Sequence, residues 1–344
     1  MISCKSAPAP TTEPPGETQQ EDKALQPLDD TTRQALAAAQ EKVESLRKLT
    51  LDFAGPTYYP AECDSAGSHY TQAQALKPTT VEDYKKAIEQ YTTLAGEYQA
   101  LNEKVLPRYV EERKTALQSA RNKAVQAGAE DALPEQVGTA DETVTEGMKL
   151  WDAQEYYAAA DAFDDAQNRY GLLETEAACH GLRTEIATYN LSTYDPDTFA
   201  AAEQGMQRAL SAYTAKDIPA AQSAATEALS QYQLVAATGW EALALERRQR
   251  ANAERTKALD IKANIAMKND YEAANGVYSQ GDSALSDRDF KRAVECFTPA
   301  ETMFTVVYKT TTEKRQTAAK TIQAAEKQIV ESGDRTKKQA GVKR

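Results

Sequence analysis

Residues 155–173 read EYYAAADAFDDAQNRYGLL, and their apolar side chains determine the fold. Apolar or small residues recur here at intervals of three, four, three, four and three positions. The series consists of Tyr156, Ala159, Phe163, Ala166, Tyr170 and Leu173. Intervals of three and four place side chains on one face of an α-helix, so the segment is predicted to form an amphipathic helix.

The same series occurs three more times, beginning at Tyr84, Ile218 and Phe290. Each is preceded by a shorter helical run, and the four runs begin at Tyr59, Leu133, Asp195 and Met267, about 62 to 74 residues apart. We therefore predict an all-α fold of four diverged helical hairpins, each with a short helix A, a tight turn and a long helix B. The predicted repeats cover residues 57–133, 134–195, 196–267 and 268–333.

Small residues on helix A and an Ala-aromatic-Ala pattern on helix B resemble the tetratricopeptide repeat. The second copy carries Gly147, Ala159, Phe163 and Ala166, and the fourth carries Gly281, Ala293, Phe297 and Ala300. The third has Ala209, Ala221, Ala225 and Ala228, and the first has Ala73, Ala87, Tyr91 and Leu94. The resemblance implies a helical scaffold for protein–protein interaction and supplies no catalytic residue, although the period exceeds the family's usual 34 or so residues.

The extra length belongs to helix B. Glu112-Arg113 in the first copy corresponds to Glu246-Arg247 in the third, well beyond the hairpin. Helix B is thus expected to run for about forty residues, with a kink at Pro107 in the first copy and a weaker spot at Gly239 in the third. Two architectures follow: serial three-helix bundles, which make an elongated molecule and are favoured here, or a compact solenoid of broken helices.

Capping residues predict where several helices begin. Asp29 or Asp30 is expected to cap an N-terminal helix within residues 31–56, which Gly55-Pro56 ends. Thr79 with Glu82, and Thr139 with Glu142, have the spacing of capping boxes. Asp195 and Asp217 each precede a first-turn proline.

The formal net charge of −12 argues against nucleic acid as a partner, because a nucleic-acid surface is itself anionic. The balance becomes basic from Lys309 onward, and residues 334–344 form a basic tail. Such a tail is suited to anionic lipid, cell-wall polymer or an acidic protein, although a solvated helix end explains it more simply.

The N-terminus reads Met1-Ile2-Ser3-Cys4, followed by a Pro- and Thr-rich segment up to residue 30. A Cys before a tether resembles bacterial envelope lipoproteins, and together with the repeats the chain resembles those of spirochaetes. This resemblance implies a lipid on Cys4 and a location on the periplasmic side of the envelope. Residues 1–30 are predicted to be a disordered tether.

No catalytic, metal-binding or cofactor-binding motif is found, so we expect a non-enzymatic protein without a cofactor. The candidate residues for partner binding are Tyr58 and Tyr59, in a Gly/Pro break, and a basic run. That run contains Arg247, Arg248, Arg250 and Arg255, and its simpler interpretation is a solvated helix with internal ion pairs.

Three functions remain open from the sequence. The first is a tethered scaffold that recruits another envelope protein. The second is a ligand-handling lipoprotein, associated with a transporter, which requires a sizeable cavity between helices. The third is a passive spacer between membrane and cell wall.

Overall fold

A computed structural model of the protein describes residues 30–341, and this part of the chain contains helices and turns but no strand. The predicted all-α fold is therefore confirmed. Cys4, the predicted tether up to residue 29 and the last three residues of the basic tail lie outside the described residues.

Twelve α-helices and one short 3₁₀ turn, Leu191–Thr193, make up this region. The helices are α1 (Asp30–Asp52), α2 (Gly55–Tyr58), α3 (Pro60–Gln74), α4 (Val81–Gln126), α5 (Ala129–Ala132), α6 (Pro134–Asp152), α7 (Tyr156–Thr188), α8 (Pro196–Thr214), α9 (Ile218–Asp260), α10 (Ala263–Ala266), α11 (Lys268–Ser286) and α12 (Phe290–Gly341).

The chain divides into two compact units, with the boundary between Thr115 and Ala116. Unit one holds a first bundle of α1, α3 and the beginning of α4. In its core, the Thr50 hydroxyl donates to the side-chain oxygen of Asn102 at 2.8 Å, and the Asn102 amide donates to the Leu46 carbonyl at 2.9 Å. These two bonds satisfy the buried polar groups between α1 and α4.

Unit two contains three further bundles of the same kind. The second bundle is formed by the end of α4, α6 and the beginning of α7. The third consists of the rest of α7, α8 and the beginning of α9, and the fourth of the rest of α9, α11 and the beginning of α12. Of the two predicted architectures, unit two therefore has the serial three-helix bundles.

A residue in the left-handed conformation ends each long helix that leads into another hairpin. Four residues occupy this position: Ala54, Gly128, Asn190 and Lys262, with φ values of 64°, 94°, 53° and 57°. A small or apolar buried residue follows each of them. Since α3, α6, α8 and α11 then begin directly after Tyr59, Leu133, Asp195 and Met267, the four predicted starts are confirmed.

Two capping predictions are confirmed. Asp195 accepts from the Thr198 amide at 3.3 Å, and Asp217 accepts from the Ala220 amide at 3.0 Å. These carboxylates satisfy amides that have no partner within the helix.

The two predicted capping boxes are wrong. At α4 the reciprocal bonds join Thr80 and Asp83, one residue later than predicted, at 3.0 and 3.2 Å. Thr139 lies inside α6, because Pro134 already begins this helix after the left-handed Gly128 junction. The Thr139 hydroxyl donates instead to the Glu135 carbonyl within the helix.

The long helices are continuous. Helices α4, α9 and α12 contain 46, 43 and 52 residues, whereas α7 contains 33. Helix α4 continues through Pro107 and α9 through Gly239. A Cβ atom on Gly239 would lie 2.6 Å from the Cβ of Leu191, so the glycine allows close packing here and does not end the helix.

Close packing also joins the two helices of a hairpin. A Cβ atom on Gly147 of α6 would lie 2.7 Å from the ring of Phe163 on α7. Gly281 of α11 has the same relation to Phe297 of α12, also at 2.7 Å. Only glycine lets the ring lie against the backbone of helix A at these two positions.

Helix α12 is exposed after its first half. All residues from 313 to 335 are exposed, in contrast to the buried stripes of α7 and α9. None of the helices within residues 30–341 combines the length and the apolar character required to cross a lipid bilayer.

The glycine packing can be tested with two variants of α11. We expect Gly281→Ala to reduce the free energy of unfolding by about 1–3 kcal/mol, because the new methyl group overlaps the Phe297 ring. Gly276→Ala, on the same helix with no atom within 4 Å of the new Cβ, should instead increase it by about 0.5–1 kcal/mol. Urea unfolding followed by circular dichroism measures both, and equal effects of the two substitutions would contradict the packing argument.

Candidate functional site

The two tyrosines predicted to contact a partner are half-buried in unit one. Tyr58 bonds to Glu112, and burial together with this bond raises its pKa to about 12. The Arg108 guanidinium lies 5.9 Å from the Tyr58 ring centre, and the Lys104 ammonium lies 6.0 Å from that of Tyr59. Both rings therefore already contact cations of α4, which leaves only part of each ring for a partner.

The predicted arginine run on α9 does not form one patch. Arg248 binds Asp282 of α11 at 2.7 Å, and Arg250 binds Glu246 at 2.5 Å. Arg247 is half-buried, and its buried Nε has no hydrogen-bond partner among the described residues. Exposed ion pairs of this kind contribute about 0–1 kcal/mol, so Arg248 and Arg250 remain able to exchange partners.

Arg255 does not belong to this basic run in the structure, because it contacts a tyrosine of the fourth bundle. Its guanidinium lies 5.2 Å from the centre of the Tyr278 ring on α11, inside the fourth bundle. This position belongs to a set of four arginines at equivalent places in the four bundles. The set is Arg47, Arg121, Arg183 and Arg255.

In the second and third bundles, this arginine forms a three-residue network. Arg121 of α4 donates to both carboxylate oxygens of Asp141 on α6, at 2.9 and 3.0 Å, and the Tyr170 hydroxyl of α7 donates to the same carboxylate at 2.5 Å. Each network joins all three helices of its bundle. A half-buried carboxylate that accepts from both an arginine and a tyrosine is fully satisfied, so it fixes the register of the helices.

The third bundle repeats the arrangement with Arg183, Glu203 and Tyr232. Arg183 donates to the two Glu203 oxygens at 2.6 and 2.7 Å, and the Tyr232 hydroxyl donates at 2.6 Å. In both bundles, burial and the bond to the carboxylate raise the pKa of the tyrosine.

The first and fourth bundles lack the carboxylate. Gly67 and Asn275 stand in its place, and the arginine lies over a tyrosine of helix A instead. Arg47 lies 4.5 Å from the ring centre of Tyr70, which is equivalent to the pairing of Arg255 with Tyr278. The four arginines recur with the spacing of the repeat, and this recurrence is the sequence signal by which the networks could have been predicted.

Unit two contains a cavity of about 270 Å³, which we call the third-bundle cavity. It is bounded by α7, α8, α9 and the beginning of α6. Its walls are formed by Leu133, Gln136, Glu176, Cys179, His180, Arg183, Glu203, Met206, Gln207, Leu210 and Tyr232. Cys179 is buried, and burial raises the pKa of its thiol to about 12, so this sulfur is a neutral wall at physiological pH.

Titratable side chains elsewhere do not assemble into a metal site. Within the part of the chain that the structure describes, no group of three or more His, Cys, Asp or Glu side chains has the geometry to hold a metal ion. His69 binds Glu97 at 2.9 Å on the surface of unit one.

Two curated proteins are similar to the chain. It is 26% identical over 227 residues to "Treponemal membrane protein A" of Treponema pallidum (strain Nichols), which covers 64% of this chain and 65% of the relative. It is 21% identical over 209 residues to the protein of the same name from Treponema phagedenis, which covers 61% of this chain and 60% of the relative. The chain thus spans less than two thirds of the length of either relative.

The sequence matches no family model. No solved structure matches it either. The resemblance to tetratricopeptide repeats therefore stays a prediction, while the similarity to spirochaetal membrane proteins is found.

The network around Asp141 gives a prediction about stability and pH. Burial opposes ionisation of Asp141, but hydrogen bonds from Arg121 and Tyr170 outweigh burial and lower the pKa of the carboxyl. We expect Asp141→Asn to reduce the free energy of unfolding at pH 7 by about 1–2 kcal/mol, since Arg121 and Tyr170 lose a charged acceptor.

The pH dependence follows from the direction of the shift. The contribution of Asp141 is complete above its unfolded-state pKa of about 3.9 and is lost as the pH falls through the lower folded-state value. The difference between wild type and Asp141→Asn should therefore shrink below about pH 4, as measured by urea unfolding between pH 7 and pH 3. Asp161→Asn, an exposed change on α7, should stay within about 0.5 kcal/mol of wild type at every pH. Parallel behaviour of the two variants would refute a structural role for the network.

Proposed function

We propose that this chain is a non-catalytic, membrane-associated protein of the spirochaetal cell envelope that holds a partner protein along its helices. The similarity to two treponemal proteins named as membrane proteins supports the location. Repeated helical hairpins support a role in interaction, because stacked hairpins commonly present extended binding surfaces.

One observation carries the interaction role. Residues 313–335 of α12, which we call the distal segment, are all exposed, and beyond Lys314, whose ammonium contacts the Met267 sulfur, no helix of the described structure packs against them. The corresponding second halves of α7 and α9 are covered by the next hairpin and contribute buried residues to the core. The distal segment is therefore the place in unit two where a further helix or hairpin can be added.

The distal segment carries a narrow apolar stripe. Ala318, Ile322, Ala325 and Ile329 follow one another at intervals of four, three and four, and Ile322 and Ile329 are 58% and 70% exposed. This spacing is that of a coiled-coil seam. A lone exposed helix is marginally stable in water, and covering an apolar seam with a partner helix stabilises it. We infer that the partner presents an amphipathic helix.

Site-specific photo-crosslinking tests this surface in the native envelope. We expect benzoylphenylalanine at Ile322 or Ile329 to give one discrete crosslinked product, because both positions lie on the seam. The same group at Lys320 or Lys327, on the opposite face of the helix, should give none. Mass spectrometry of the product identifies a partner protein or a second copy of this chain.

A double variant, Ile322→Glu with Ile329→Glu, separates binding from folding. Both side chains are exposed, so the melting temperature should change little, whereas crosslinking from position 325 should disappear. If all four positions crosslink equally, or if none does in an envelope preparation with intact protein, the distal segment is not the docking surface.

We further propose that Cys4 carries the lipid that holds the protein to the membrane. The support is the sequence Met1-Ile2-Ser3-Cys4 followed by the Pro/Thr-rich segment. In the native host, Cys4→Ala should move the protein from the detergent phase to the aqueous phase and abolish labelling by fatty acid, while Cys63→Ala leaves both unchanged. A labelled, membrane-bound Cys4→Ala protein would rule out this anchor.

Tyr58, Tyr59, Arg247, Arg248, Arg250 and Arg255 remain candidates for further contacts with the partner, and an acidic cell-wall polymer remains a candidate ligand of the basic tail. None of these proposals assigns a catalytic residue, metal or cofactor.

A further inference from the structure

The third-bundle cavity contains a carboxylate that the fold leaves without a partner. Glu176 on α7 is only 7% exposed and lines the cavity, and no hydrogen bond or ion pair of its side chain is found within residues 30–335. Its burial raises the pKa of the carboxyl. An unpaired buried carboxylate destabilises a folded protein, so its presence needs an explanation outside the fold.

The neighbouring charges do not supply that partner. Arg183, the cation in the cavity wall, already donates to both oxygens of Glu203, which also accepts from Tyr232. Arg183 and Glu203 therefore balance each other. Of the two carboxylates in the wall, Glu203 is therefore paired with the guanidinium, and Glu176 is left without a paired cation.

The remaining walls fit an apolar body. Leu133, Cys179 and Met206 line the cavity, and Leu210 and Gln207 on α8 stand at its exposed edge. Leu210 is 59% exposed, so the cavity is reached from solvent past this side chain. The volume of about 270 Å³ is just below the range for small-molecule sites, roughly 300–1,000 Å³, so the cavity suits only a small ligand.

The cavity lies beside α7, the shortest of the long helices, which has 33 residues, whereas α9 has 43. Leu133 and Gln136, at the beginning of α6, line the same cavity as Gln207 and Leu210 of α8.

We propose that the third-bundle cavity binds a small organic ammonium ion, whose N–H groups donate to Glu176 and whose apolar body packs against Met206 and Leu210. An ammonium group supplies the missing positive charge, and the charge-assisted hydrogen bond gains strength in a site shielded from water. The unpaired carboxylate would repel an anion, and a neutral molecule would leave the charge of the carboxylate uncompensated. This inference is independent of partner binding by the distal segment.

Isothermal titration calorimetry with the full chain tests the proposal, using three probes of nearly equal shape. These probes are phenethylammonium, 2-phenylethanol and 3-phenylpropionate. We expect phenethylammonium to bind at least tenfold more tightly than the alcohol and the carboxylate not to bind.

Two matched variants of α7 localise the effect. Glu176→Gln should weaken phenethylammonium binding at least tenfold and remove the preference over the alcohol. Glu174→Gln makes the same change of charge two residues away on the exposed face, and it should leave the affinity within twofold of wild type. Leu210→Trp, at the exposed edge, should weaken the binding of phenethylammonium and of 2-phenylethanol equally, because the larger side chain obstructs entry to the cavity.

Thermal unfolding without ligand distinguishes a binding residue from a structural one. Glu176→Gln should raise the melting temperature, because it removes an unpaired buried charge, while it lowers the affinity for the ammonium ion. A lower melting temperature would mean that Glu176 has a structural partner, and it would overturn the proposal. Equal binding of the ammonium ion and the alcohol, a preference for the carboxylate, no binding of any probe, or unchanged binding by Glu176→Gln would each overturn it as well.

Discussion

Where helix A meets helix B in the second and fourth bundles, a phenylalanine ring on helix B lies against the backbone of a glycine on helix A. Gly147 with Phe163, and Gly281 with Phe297, leave no room for even one methyl group. In the third bundle, Gly205 and Ala228 achieve a similar approach, with a would-be Cβ–Cβ distance of 2.9 Å. Because the helices pack this closely, alanine is the commonest residue of the core within the described part of the chain.

In addition to this close packing, the junction that ends each of four helices has the same conformation. A left-handed residue ends α1, α4, α7 and α9, and one short helical turn then leads into the next helix A. The next helix A therefore packs beside the second half of the helix it has just left. Within unit two, α7 and α9 each belong to two bundles as a result. Helix α12 has no hairpin after it within the described residues, so its distal segment stays exposed.

Much of this fold was predictable from the sequence, because intervals of three and four residues define a helical face wherever they occur. The four starts of helix A, the long second helices and the Asp195 and Asp217 caps follow from local patterns of this kind. The Arg121, Asp141 and Tyr170 network does not, since its members come from three helices and two successive repeats. The four arginines occupy equivalent positions only in an alignment that extends through the second half of every long helix. The position of Thr139 inside a helix was missed for a related reason, because the left-handed junction at Gly128 decides where α6 begins.

The candidate site was even less accessible to sequence reasoning, because a glutamate on a helix is usually solvated. Glu176 stands out only by comparison with Glu203 and Asp141, which are also partly buried but have an arginine and a tyrosine each. In the fourth bundle, the carboxylate and the tyrosine are replaced together by Asn275 and Phe304, so no acid remains without its partners there. In the first bundle Gly67 replaces the carboxylate although Tyr98 is kept, so at this repeat position a carboxylate occurs only where both an arginine and a tyrosine bind it. Glu176 has no such partners, and it lines the third-bundle cavity. The unpaired Glu176 carboxylate does not stabilise the fold, and it faces an unfilled cavity. A ligand of the cavity therefore explains its presence better than a structural role does.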